Sequence, residues 1–208
     1  MFRNWRLVEA IAAATVVAWL LALVFAPGSL ADYYAGFIPA RMTGAFSLPH
    51  ALPAWITPLS ATFVHSGLMH LAFNIVLLVF CGRRVEAVLG WQMVGLLYLV
   101  GAFVSAGAQF LVDPLSHEPM VGASGAISAV FGVYALLFSQ QKVPKITFVP
   151  PHVIRALWLG AAWIGLQWIT GLTMAGEGYH IAIAAHIGGF IIGLVLARPM
   201  LAWVYRHA

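Results

Sequence analysis

A chain of 208 residues that is 62% hydrophobic and only 8% charged, with a mean hydropathy of +0.95, is excluded from the water-soluble class, where about a quarter of residues are charged. Its net charge of +4 does not point to nucleic acid, because the basic residues are sorted by loop rather than gathered in a patch. A single cysteine, Cys81, excludes an internal disulfide and reads as a small apolar filler; neither metal nor cofactor is expected.

Six apolar runs are predicted as membrane helices, at 7–25, 66–80, 90–112, 122–138, 153–172 and 181–202. Most reach the roughly 18 residues that mark a span; the second and fourth are shortest. The first follows the basic segment Met1–Arg6, yet it exceeds the roughly 7–15 residues of a signal-peptide core and is expected to be retained. Glu9, one turn inside it, reaches back toward the surface. Between the first two runs, Ala26–His65 holds Pro27, Pro39, Pro49, Pro53 and Pro58 and is too broken to span. Its aromatics Tyr33, Tyr34, Phe37, Phe46 and Trp55 predict a loop lying at the headgroup level. Long ordered loops are more often functional than idle.

Polar residues punctuate three of the later runs. The second carries His70 and Asn74 at i and i+4 on one face, with His65 just ahead of it. The fourth opens Gly122-Ala123-Ser124-Gly125 and continues through Ser128 and Gly132. The sixth contains Ala185-His186-Ile187-Gly188-Gly189, then Gly193. Small residues at four-residue intervals let helix backbones approach closely. The runs leave no soluble domain, so residues 1–208 are read as one all-α, six-helix membrane domain.

Orientation follows from charge. With the N-terminus in the cytoplasm, Arg3, Arg6, Arg83, Arg84, Lys142, Lys145, Arg155, Arg198 and Arg206 all fall on the cytoplasmic side, and Arg41 alone lies outside. Asp32, Asp113, Glu118 and Glu177 fall on the outer side. The positive-inside rule thus predicts both termini in the cytoplasm. Runs two, four and six then share a direction, placing His70, Ser124 and His186 in the outer half of the bilayer. At 1.5 Å per residue, His186 lies about 8 Å below the start of its run.

Taken singly, Ser124 reads as a packing residue, Asn74 as helix glue, and His186 or His70 as an interhelical hydrogen bonder or part of a proton path. Polar groups in hydrocarbon are costly, and three at one depth on three parallel helices point instead to a site. A hydroxyl and an imidazole within about 3 Å can transfer a proton. His50, His117, His152, His180 and His207 look peripheral and are assigned no chemistry.

These stretches, with Gly82-Arg83-Arg84-Val85-Glu86 after the second, resemble the rhomboid family of intramembrane serine proteases. The resemblance covers the second to sixth runs, and the first fits by position. It implies a catalytic dyad of Ser124 and His186, with His70 and Asn74 helping to bind the oxyanion. Gly122, Gly125, Gly189 and Gly193 are the structural glycines at the site. It also implies Phe73 and Trp168 as an aromatic gate between the second and fifth helices, with core packing as the competing reading. His65 matches the family pattern, and a structural role for the outer loop is expected of it.

Two departures stand out: Ser128 occupies a position where the family often has an aromatic packed on the histidine, and the outer loop lacks a Trp-Arg pair. The expected substrates are transmembrane proteins in the lipid bilayer, cut near their outer ends after a small residue. The expected location is a bacterial inner (plasma) membrane, with the site opening to the extracytoplasmic side. The rivals are an inactive rhomboid-like binding protein, which would typically have lost the serine or histidine, and a small transporter, which would favour charged, broken helices at the midplane.

Overall fold

In hydrocarbon every backbone N–H and C=O must be satisfied within the protein, so long apolar runs wind into helices. The computed structural model describes residues 7–138, 148–174 and 182–206, excluding the side chains at 152 and 166–174. Arg3, Arg6, Lys142, Lys145, Glu177, His180 and His207, and the side chains of His152 and Trp168, lie outside the described residues. The helices are α1 (Leu7–Phe25), α2 (Leu30–Ala35), α3 (Pro39–Met42), α4 (Thr57–Ser60), α5 (Leu68–Leu89), α6 (Trp91–Val112), α7 (Ser124–Phe138), α8 (Pro151–Met174) and α9 (Ile183–Val204). The described residues contain no strand.

On length and composition, α1, α5, α6 and α9 are able to cross a membrane. Of the other two predicted spans, α7 is described over Ser124–Phe138, and the residues that follow it lie outside the described ones. In α8 the described apolar stretch is Val153–Gly165. The second helix was expected to end at residue 80 but continues to Leu89. Its polar last turns have partners. The Glu86 carboxylate accepts the N–H groups of Leu7 (2.9 Å) and Val8 (3.0 Å) at the start of α1, and Arg83 pairs with Glu9. Gly90, at φ 80°, ends α5 and turns the chain directly into α6.

α7 forms the centre, packed by α9, α6, α5 and α8. Lipid tails are as apolar as leucine, so close packing rather than water exclusion must hold such helices together. The contact of α7 with α9 shows how: a Cβ on Gly193 would collide with the Ala129 carbonyl, and one on Gly132 with the Phe190 carbonyl. Around this seam Leu78, Leu97, Ile127, Val130 and Val133 are fully buried. Large exposed apolar side chains such as Phe25, Val76 and Leu111 are ordinary on a lipid-facing surface.

The long segment after α1, expected to be a loop too broken to span, is folded into short helices and stitched to the segment that precedes α7. Phe37 and Met120 exchange both backbone hydrogen bonds (3.0 and 2.8 Å), Ala40 N–H donates to Ser116 O (3.0 Å), and Gly122 N–H donates to Ala61 O (2.9 Å). Non-helical backbone at membrane depth survives only where protein or a wet cavity satisfies it. This ladder does so, and it fixes where α7 begins.

Candidate active site

Ser124 is the first residue of α7, at the end where the N–H groups of the opening turn have no intrahelical acceptor. Two upstream N–H groups are already engaged: Gly122 bonds to Ala61 O, and Ala123 N–H donates to His65 Nε2 at 3.4 Å. His65 is therefore a buried prop for the segment leading into Ser124, a more specific duty than a general role in the loop. Burial first, and then neighbouring His70, lower its pKa to about 3. It is neutral at pH 7, which leaves Nε2 free to accept.

His186, one turn into α9 and buried, sets its Nε2 2.7 Å from Ser124 Oγ. That distance suits a hydroxyl donating to an imidazole. With Nε2 as acceptor, the other ring nitrogen carries the proton. Nδ1 is buried without a hydrogen-bond partner among the described residues, so none of the described carboxylates completes a triad there. The close α7–α9 seam makes the approach possible: a Cβ on Gly189 would strike the Gly125 carbonyl and stand 2.7 Å from Ser105 Oγ, and a Cβ on Gly125 would meet the same serine.

His70 and Asn74 come from α5. His70 Nδ1 lies 3.1 Å from Ser66 Oγ; with the serine donating, Nε2–H remains to donate into the site. That edge of the ring lies against Gly122, where an added Cβ would sit 2.6 Å from Nε2. Asn74 Nδ2 donates to the His70 carbonyl at 2.8 Å, leaving one amide hydrogen, while Oδ1 is buried without a partner among the described residues.

All four side chains line one cavity of about 420 Å³, together with Phe73 and Trp163. Asp32 and Glu118 also line it, and burial raises the Asp32 carboxyl above its ordinary value. Phe73 is 56% exposed; its expected gate partner, the Trp168 side chain, is outside the described residues. α8 packs on α7 and α9 but makes no substantial contact with α5 among the described residues.

Sequence reasoning missed Trp163. Its indole, supplied by α8, lies 6.4 Å from the His186 ring, tilted by 56°. Trp163 Nε1 donates to Ser128 Oγ at 3.1 Å. An aromatic ring from another helix thus lies beside His186, where position 128 itself carries only a serine.

A family model described as the rhomboid domain matches residues 53–203. Among curated relatives, RHOMBOID-like protein 4 of Arabidopsis thaliana is 31% identical over 163 residues, covering 72% of this chain and 36% of that protein. The rhomboid protease GlpG of Serratia proteamaculans is 32% identical over 151 residues (71% and 48%). Rhomboid-like protein 11, chloroplastic, of Arabidopsis thaliana is 32% identical over 178 residues (80% and 59%). The chain spans roughly a third to three fifths of the length of these relatives.

Proposed function

Because this chain belongs to the rhomboid family and is an integral membrane protein, we propose that it is an intramembrane serine endopeptidase that works by a Ser124–His186 dyad. The observation that carries the reading is the 2.7 Å contact between Ser124 Oγ and His186 Nε2 at the wall of a cavity. A named relative, the rhomboid protease GlpG, supports the reaction class.

The chemistry follows from the parts. Ser124 Oγ attacks the scissile carbonyl carbon as His186 Nε2 takes its proton; the same nitrogen later returns that proton to the leaving amine. A water, activated by the neutral imidazole, then hydrolyses the acyl-enzyme and restores the serine. The oxyanion meets the Ser124 N–H at the positive end of α7, with His70 Nε2–H and the free Asn74 amide hydrogen. A proton-bearing His70 Nε2 requires the Ser66 contact to run from hydroxyl to Nδ1.

On this reading the chain crosses the membrane six times with both termini in the cytoplasm. The cavity opens to the opposite side, a bacterial plasma membrane is the setting, and transmembrane proteins are the substrates. A substrate segment enters between α5 and α8, past Phe73, with Trp168 as the facing half of the gate. The inactive rhomboid-like alternative and the transporter both predict an unreactive serine. Ser124→Ala is expected to abolish cleavage of a transmembrane reporter and labelling by a serine-directed fluorophosphonate, with helix content unchanged by circular dichroism. Cleavage or labelling that survives in the purified variant would refute the assignment.

A further inference from the structure

A histidine side chain pivots about two bonds, and a single hydrogen bond at Nε2 does not fix the plane of its ring. In most buried histidine–serine pairs a second hydrogen bond at Nδ1 does that. Here Nδ1 has no partner among the described residues, and the described contact that bounds the His186 ring beyond its bond to Ser124 is a packing contact.

The packing leads through three helices in a closed circuit. Ser128, one turn below Ser124 on α7, is fully buried, and its hydroxyl donates to the Ser124 carbonyl at 2.7 Å. Having spent its proton there, the same oxygen can only accept, and it accepts the indole N–H of Trp163 at 3.1 Å. The indole is buried, packed on another side by the Phe131 ring at 5.3 Å, and its ring lies 6.4 Å from the His186 imidazole, tilted by 56°. His186 Nε2 then returns to Ser124 Oγ. The carbonyl of the nucleophile is therefore tied to the wall that bounds the swing of its base.

We infer that Trp163, anchored by Ser128, is the positioning residue that holds the His186 imidazole in line with Ser124 Oγ. The inference rests on the protease reading above and adds to it a residue from α8 and a duty for Ser128 beyond helix packing. The indole touches neither the reacting oxygen nor the proton. Its effect passes through the angle of the base, and a base displaced by about 1 Å can lose roughly 100-fold in rate.

The test uses the full chain in proteoliposomes with a transmembrane reporter, and compares wild type, Trp163→Ala, Trp163→Phe, Ser128→Ala and the Ser128→Ala/Trp163→Phe pair. Trp163→Ala is expected to lower kcat roughly 100-fold with KM within about twofold. Fluorophosphonate labelling of Ser124, which needs no transmembrane substrate, should slow in parallel. Trp163→Phe keeps a ring but not the N–H and should recover to within about tenfold of wild type. Ser128→Ala, which also loses the bond to the Ser124 carbonyl, should be at least as damaging, and the double variant should be no worse than Ser128→Ala alone, because it already lacks the bond that Trp163→Phe cuts.

A Trp163→Ala protein that melts earlier but keeps wild-type kcat per folded molecule would make Trp163 a core residue and overturn the proposal. A rise confined to KM would make it a substrate contact and overturn it equally. If Trp163→Ala does not fold, multiplicative losses in the milder pair would do so. A wild type that neither cleaves nor labels would instead defeat the protease reading itself, so the two failures are distinct.

Discussion

Gly122 is held at φ 107°, where an L side chain is strained, and its missing Cβ leaves the space that His70 Nε2 fills. Gly122→Ala is therefore expected to remove nearly all activity and lower the melting temperature. In the pair Gly122→Ala/His70→Ala the collision is gone but the backbone strain stays. Melting temperature should recover in part and activity should not; full recovery of both would mean the glycine served sterics alone. The dyad makes a second prediction at this scale. His186→Ala should be about as damaging as Ser124→Ala, and the double variant hardly worse, since members of a catalytic unit do not contribute additively; kcat measured for the three proteins decides it. His65 gives a third. Its pKa is depressed from 6.5 to about 3, so between those values the unfolded chain binds a proton that the folded one refuses. Stability should fall as pH drops from 6.5 toward 3, and His65→Gln should flatten that part of a melting-temperature profile. That Ser124, His186, His70 and Asn74 come together at one cavity was legible in the sequence, because each is a polar residue where lipid makes idle ones costly, inside motifs in the expected order. Trp163 was not legible, because a tryptophan on an apolar helix is ordinary, and only contact reveals what its N–H and its ring are set against.

The helices themselves were legible to within a few residues wherever apolar pattern decides the boundary. The reading failed where polar residues are satisfied by another helix. In α5, Gly82-Arg83-Arg84-Val85-Glu86 looked like the exit from the membrane, yet the helix runs on because α1 supplies partners for Arg83 and Glu86. Glu86 in turn satisfies two of the N–H groups that every helix start leaves open. Glu86→Ala would strand both in a buried setting, at a cost of about 1–3 kcal/mol. The expected outcome is a lower melting temperature and easier proteolysis of α1, with kcat of the surviving folded protein little changed, since α1 adds no residue to the cavity. A loss of kcat at full stability would contradict that division of labour. In the proposed placement Ser124, the first residue of α7, lies below the membrane surface, and the segment ahead of it is irregular backbone that must be paired. The Phe37–Met120 bridge and the Gly122–Ala61 bond do that pairing, which composition alone could not reveal.

For the whole molecule, the proposed orientation rests on nine of ten basic residues falling on one side, and it can be tested without reference to the chemistry. A cysteine at Asp113 should react with an impermeant thiol reagent applied to intact cells, and one at Arg206 should not; the reverse pattern would invert the protein. In the proposed arrangement the cut must fall near the outer end of a substrate helix. It should also depend on helix-breaking residues, because a hydrogen-bonded helix keeps its carbonyls from a nucleophile. Mass spectrometry of the product reads the position directly, and a cut at the cytoplasmic end would refute the depth assigned to Ser124. The separation of the dyad along the chain has one more consequence. Ser124 and His186 are 62 residues apart, and the histidine rides on α9, which reaches the membrane after every other helix described. A ribosome adding 5–20 residues per second needs roughly 3–12 s to make that stretch. On the proposed mechanism the newborn chain holds, for that interval, a nucleophile with no base, and it cannot cut neighbours that share its insertion site. On that mechanism, the hazard of placing a protease in a crowded membrane is deferred until α9 has been made.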